Sequence, residues 1–204
     1  MRYENNLREA ETGIGSIVGV NGGIDAVRKR LYEPMTPDQI PDFVLPLKVV
    51  EKGFRVVYEP EAILREEALK QSSDEYRMRG RVALRSLQAI RDMKHLMNPL
   101  KYGFFAWQFF SHKALRYIAF FPLVVAYASN LALIGRGGVY LAAFSAQTIL
   151  YLLALAGWFA GKANKEGGFL YTPFYFCLLN VASADAFVKM LQGKRQVIWN
   201  PRKG

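Results

Sequence analysis

GGVYLAAFSAQTILYLLALAGWFAG, residues 137–161, runs for 25 positions without an Asp, Glu, Lys or Arg. A helix needs about 20 apolar residues to cross the hydrocarbon core of a bilayer. Two further uncharged runs flank it, 117–135 with 19 residues and 167–184 with 18. Together the three runs make the carboxyl-terminal part a membrane domain and exclude a fully soluble protein. The remainder has a different character. Residues 1–116 carry 19 basic and 15 acidic side chains, against 8 and 2 in 117–204. The averages over 204 residues, 51% hydrophobic and 22% charged with a mean hydropathy of +0.04, therefore conceal two unlike parts.

Working outward from these runs, residues 99–116 crowd Tyr102, Phe104, Phe105, Trp107, Phe109 and Phe110 together ahead of His112, Lys113 and Arg116. Aromatic rings mixed with basic groups favour the headgroup zone. The pattern predicts an interfacial helix over 100–114 and membrane segments near 115–135, 138–161 and 169–191. Basic side chains number five from Arg91 to Arg116, one in the first loop (Arg136), two in the second (Lys162, Lys165) and five from Lys189 onward. The positive-inside rule asks for both ends in the cytoplasm, whereas three crossings would separate them. Either one segment is re-entrant or interfacial, or the basic tail is exported. The third run, shortest and interrupted by Pro173, Asn180 and Asp185, is the one expected not to cross. Asp185 has Lys189 one helical turn later as a partner, Trp199 reads as an interfacial anchor, and a transport role is the alternative for Asp185.

The formal net charge of +10 does not point to nucleic acid. Its basic residues are interleaved with acids over 1–90 and later gather beside apolar runs, where anionic lipid attracts them. Membrane lipids are the expected partner. Cys177 is the single cysteine, which excludes an internal disulfide and a cysteine-rich zinc site. His95 and His112 are the only histidines, so no metal site is expected in this chain. Residues 1–11, MRYENNLREAE, lack the apolar centre of a secretory signal, and the amino-terminal part is expected in the cytoplasm.

Within that part, residues 2–11 and 24–31 read as short helices around the Gly-rich stretch Gly13 to Gly23, and three prolines make 34–41 a loop. Apolar Phe43, Val44, Leu47 and Val50 predict a helix opening at Asp42, with Gly53 past its end. Phe54-Arg55-Val56-Val57-Tyr58 predicts a strand, and 65–95 a charged helical stretch. An Asp at a helix start is ordinarily an N-cap that accepts backbone N–H groups. Arg77, Arg79, Arg81 and Arg85 suit a phosphate clamp, or simply a solvated helix face. Gly22 and Gly23 suit a close backbone approach to a ligand, or a plain turn.

Pro41-Asp42-Phe43-Val44-Leu45-Pro46 with Gly53-Phe54-Arg55-Val56-Val57-Tyr58-Glu59-Pro60-Glu61-Ala62 resembles the acceptor-side half of the family 2 glycosyltransferases, membrane-bound inverting enzymes with a GT-A catalytic domain. The Gly15-Ser16 and Gly19-Val20-Asn21-Gly22-Gly23 segment, Gln108 to Arg116, and Trp199-Asn200-Pro201-Arg202 are similar to further family motifs in the same order. The resemblance implies an α/β partial GT-A catalytic domain at 1–98, followed by an all-α transmembrane domain at 99–204 with an interfacial helix and about three membrane helices. It implies Asp42 as the general base that deprotonates an acceptor hydroxyl, a role suited to a carboxylate ionised at pH 7. Arg81, Arg79, Gly22 and Gly23 become candidate substrate-binding residues.

The family's Gln-x-x-Arg-Trp motif falls on Met78, Arg79, Gly80, Arg81 and Val82, retaining Arg81, which favours addition of one or a few sugars over processive synthesis. Pro41 stands where the first member of the family's acidic pair would be. The family's Asp-x-Asp, which binds the divalent metal and the nucleotide, occurs nowhere in the 204 residues. Mg2+ or Mn2+ is thus expected for the complete enzyme with ligands outside this chain, and the chain is expected to be a carboxyl-terminal fragment, inactive alone. The implied partners are a nucleotide sugar, a lipid-linked or glycan acceptor and membrane lipids. The implied location is the inner cell membrane, multi-pass, with the catalytic part cytoplasmic. Rival readings are a non-catalytic membrane subunit completed by a partner subunit, and a small transporter-like protein.

Overall fold

The computed structural model describes residues 2–20, 23–64, 75–161 and 168–195. Its helices are α1 (Arg2–Ile14), α2 (Pro41–Glu51), α3 (Glu75–Asp92), α4 (Pro99–Tyr102), α5 (Phe104–Phe109), α6 (Leu115–Ile118), α7 (Phe120–Leu133), α8 (Gly138–Gly161) and α9 (Tyr171–Leu191). A π-helical turn, Phe110–Ala114, joins α5 to α6. Among the described residues there is no β-strand, which overturns the expected α/β partial GT-A domain.

The physical reason is visible at the segment expected to be a strand. Residues 54–58 are extended, but their polar groups are met singly and not by a ladder. The Val56 carbonyl accepts from the Ile17 N–H at 2.9 Å, the Val56 N–H donates to Ser16 Oγ at 2.8 Å, and the Tyr58 N–H donates to Thr12 Oγ1 at 2.8 Å. The Arg55 guanidinium reaches the carbonyls of Gly15 at 2.7 Å and Thr12 at 2.6 Å. One extended segment stitched to the end of a helix is not a sheet, which needs further paired strands for independent stability.

Other expectations shift at their edges. The first helix extends to Ile14, while 24–31 forms only a 3-10 turn at Lys29–Leu31. Of the charged helical stretch, Glu75–Asp92 is helix and 65–74 lies outside the described residues. The helix around Asp42 starts one residue early. Ile40 occupies the N-cap without a side-chain bond, and Pro41 takes the first turn, where its missing N–H costs nothing.

The main core is built on α2. Val44 and Leu47 are fully buried, and Phe43 lies against Phe109 with ring centroids 6.2 Å apart. Phe109 in turn stacks on Phe105 at 6.3 Å, and Val18, Ile90, Met93 and Leu96 close the cluster. α5 therefore inserts Phe105 and Phe109 into the core of the amino-terminal part, while Phe104 and Trp107 stay exposed. A second, smaller cluster joins Ala83, Leu84 and Leu87 of α3 to Ala186 and Met190 of α9.

The membrane segments are helical as expected, and the break falls elsewhere. By length and composition, Gly138–Ala160 and Tyr171–Leu191 are each able to cross a bilayer. The first segment is instead bent by 64° between Phe104–Ile118 and Phe120–Arg136, so it is a broken span or a re-entrant loop. At about 1.5 Å per residue, α8 is roughly 36 Å long, enough for a hydrocarbon core of about 30 Å. Its outward residues Val139, Leu141, Leu152 and Phe159 are half or more exposed, which water does not tolerate over so long a surface and lipid does. The protein is membrane-associated.

Phe109→Ala is expected to destabilise the fold by about 3–5 kcal/mol. Phe121→Ala, at a ring 65% exposed, should shift it far less. Unfolding midpoints of the two variants in the same detergent check the difference.

Candidate functional site

Asp42 sits in the first turn of α2, half-buried; Ile40 and not Asp42 is the N-cap, and the Asp42 carboxyl accepts from its own backbone N–H. Its main chain is anchored from the other side, since the Asp42 carbonyl accepts from the Val20 N–H at 3.1 Å. That bond draws residues 16–20 across the start of α2. A Cβ on Gly19 would lie 3.1 Å from Lys113 Nζ and 3.6 Å from the Phe43 ring, so the ammonium group rests close against the Gly19 backbone and would have to give slightly to a side chain there. Lys113 Nζ stands 5.2 Å from the centroid of Phe43. The first turn of α2, the Gly19 backbone and Lys113 thus converge from three parts of the chain.

The π turn explains how Lys113 arrives there. Such a turn inserts an extra residue into a helix and redirects the side chains it carries, and it recurs at functional sites. Here it presents adjacent residues to the amino-terminal part: Lys113 towards Asp42, and His112 to the buried Glu11, with Nδ1 2.5 Å from the carboxylate. Arg8 and Arg116 lie close by, each 3.8 Å from a Glu4 carboxylate oxygen.

Burial raises the carboxyl of Asp42 above the ordinary aspartate range. Its own backbone N–H and the positive charges of Lys113 and Arg85 oppose the rise, and Asp25 adds to it. Burial likewise lowers the ammonium of Lys113, helped by Arg116 and Arg8 and opposed by Glu11 and Asp42. Desolvation thus makes the Asp42 carboxylate more basic, as a general base requires, and the charge of Lys113 lies within electrostatic reach of it.

Arg85 supplies the positioning that sequence reading missed. Its guanidinium donates to the carbonyls of Pro37 at 2.8 Å, Asp38 at 3.0 Å and Gln39 at 2.6 Å, clamping the loop that delivers Asp42. The other arginines do not form one clamp. Arg79 bonds Glu75 at 2.8 Å and lies 5.6 Å from the ring centroid of Tyr175, facing α9. Arg81, four residues before Arg85, shares that residue's side of α3. Gly23 packs against the Leu64 side chain, whose terminal methyl would have to shift to admit a Cβ. Gly22 lies outside the described residues, as does Trp199. Asp185 is held by Lys189 at 2.6 Å.

The signals for Gly19 and Lys113 were present in the Gly-rich and Gln108–Arg116 stretches, but nothing in their spacing showed that they meet. Two concavities lie elsewhere. A cleft of about 290 Å³ is walled by Arg55, Tyr102, Phe104 and Gln108, and an apolar groove of about 1030 Å³ runs between α7, α8 and α9. Among the described residues no three His, Cys, Asp or Glu side chains gather to hold a metal ion, so these residues do not fit the divalent metal that the family resemblance implies.

No protein-family model, no curated protein and no solved structure matches this chain.

An aspartate with a raised folded-state value favours the fold when protonated. Its contribution is present below the unfolded value of about 3.9 and lost as pH rises through the higher folded value. Asp42→Asn should accordingly raise the unfolding midpoint at pH 7 and leave it unchanged near pH 3, measured in detergent at both pH values. Arg85→Lys, which cannot reach three carbonyls with one planar fork, is expected to speed amide exchange over residues 36–40 by more than tenfold, read by hydrogen-exchange mass spectrometry.

Proposed function

We propose that this chain is the acceptor-facing, membrane-anchored part of an inverting glycosyltransferase at the cytoplasmic face of the cell membrane. The observation that carries the reading is Asp42, a desolvated carboxylate held at a helix start beside Lys113 of the membrane-interface segment. Asp42 takes the proton of an acceptor hydroxyl. The freed oxygen forms a bond to the anomeric carbon of a nucleotide sugar, and the bond to the diphosphate breaks with its electron pair leaving on phosphate. A single displacement of this kind inverts the anomeric centre.

The remaining residues have roles consistent with this chemistry. Lys113 and Arg85 offset the charge of Asp42 and bias the site towards anionic substrates. Arg81 is on the side of α3 nearer the Asp42 loop and suits the departing diphosphate. Arg79, near Tyr175 and the apolar groove, suits the head of a lipid-linked acceptor. Donor binding, including any divalent ion, is not assigned to the described residues, among which no three His, Cys, Asp or Glu side chains gather, and a partner subunit that supplies it is consistent with this reading.

In the complete protein, Asp42→Asn is expected to lower sugar transfer by at least about 100-fold, while Asp185→Asn leaves it within a factor of about two. Transfer to a lipid or oligosaccharide acceptor, followed with a radiolabelled nucleotide sugar, makes the comparison. An Asp42→Asn enzyme of ordinary rate removes the base assignment.

A further inference from the structure

α9 is apolar and long enough to cross a bilayer; one side of it packs against α8 and borders a groove with α7, while another side packs against a charged helix. α3 accompanies it along its whole length, both helices running in the same direction. Tyr175 donates its hydroxyl to Glu75 at 3.2 Å near one end. Ala83, Leu84 and Leu87 meet Ala186 and Met190 further along, and Gln88 Nε2 donates to the Lys194 carbonyl at 2.7 Å at the other end. α3 carries Arg77, Arg79, Arg81, Arg85 and Arg91 besides Glu75 and Asp92. If α9 crossed the membrane, α3 would have to accompany it, and each arginine at the bilayer centre costs about 2.5–3.5 kcal/mol even on the mildest scale.

The two ends of α9 are also tied to one side. Its start is in backbone contact with the end of α8, where a Cβ on Gly157 would lie 2.6 Å from the Leu170 carbonyl oxygen. Just past its end, Arg195 pairs with Asp38 at 2.9 Å, four residues from Asp42. If the bent segment and α8 are the two crossings, α8 returns to the side of the amino-terminal part, and α9 begins and ends there. The charges agree: Lys162, Lys165 and the five basic residues from Lys189 onward then share a side with the amino-terminal part, leaving only Arg136 opposite. The exposed residues Phe176, Val181, Val188 and Leu191 fall on one side of α9 and have an apolar surface to meet.

We propose that α9 lies in the headgroup zone beside α3 as a membrane-surface helix. Its exposed apolar residues enter the acyl boundary, the α3 arginines stand at the depth of lipid phosphates, and the chain crosses the bilayer twice. The bilayer surface is the partner of this face, and the inference is independent of the proposed reaction.

Cysteine accessibility tests it in the full chain, on a Cys177→Ser background, with a membrane-impermeant maleimide applied to intact and then to permeabilised cells. Gly137→Cys is expected to label in intact cells, and Lys165→Cys and Gly204→Cys only after permeabilisation. Labelling of Lys165→Cys in intact cells would overturn the proposal in favour of a re-entrant first segment with α8 and α9 both crossing. Labelling of Gly204→Cys there would overturn it in favour of three crossings. A second measurement uses the natural Cys177 carrying a fluorophore, in vesicles of neutral and anionic phospholipid. Nitroxide at the headgroup should quench it more than nitroxide near the end of the acyl chain, and the reverse order places α9 in the bilayer interior.

Discussion

The burial of Phe109 between Phe43 and Phe105 is the contact on which the rest of the arrangement depends. It joins the first helix of the core, α2, to the interfacial segment that leads into the membrane. Because protein interiors are close-packed, a ring of this size fixes both elements to within a small fraction of its own width. The π turn that follows is then held at a set distance from the start of α2, and Lys113 has one place to go. The proximity of Asp42 and Lys113 is a consequence of this aromatic wedge, reinforced by the Gly19 backbone that accommodates the ammonium group.

The site's electrostatics follow from that enclosure. Desolvation pushes the carboxyl of Asp42 up and the ammonium of Lys113 down, and each partly offsets the effect on the other. Desolvating both groups costs stability. Arg85 shows a related economy. By satisfying three successive carbonyls it orders a loop rich in proline, whose own backbone has few donors with which to order itself. A surface arginine on a charged helix thereby becomes the fixture for the residue at the centre of the site.

The sequence and the structure part company where a local pattern has two possible partners. The β-branched and aromatic run at 54–58 has strand propensity, but a strand exists only through its neighbours. Here the neighbours are Thr12, Gly15, Ser16 and Ile17, which satisfy it with side chains and single backbone bonds. The arginines of α3 likewise read as one row, whereas the helix turns Arg79 towards Tyr175 and Arg85 towards the loop. Membrane segments were legible in position and ambiguous in role, since an apolar helix beside an arginine-bearing one has the same composition as an apolar helix in lipid.

By itself the amino-acid sequence determined that the chain has a membrane part and that a helix begins around Asp42, because uncharged length and helical spacing are properties of consecutive residues; it misread 24–31, which forms only a 3-10 turn, as a helix. It also determined that a single cysteine can form no internal disulfide. Only the tertiary structure decided that the described part contains helices and no sheet. It alone showed Lys113 beside Asp42, and α3 flanking α9. Those facts depend on which distant segments share a core, and the aromatic residues that choose the partners carry no mark in sequence of which neighbours they will meet.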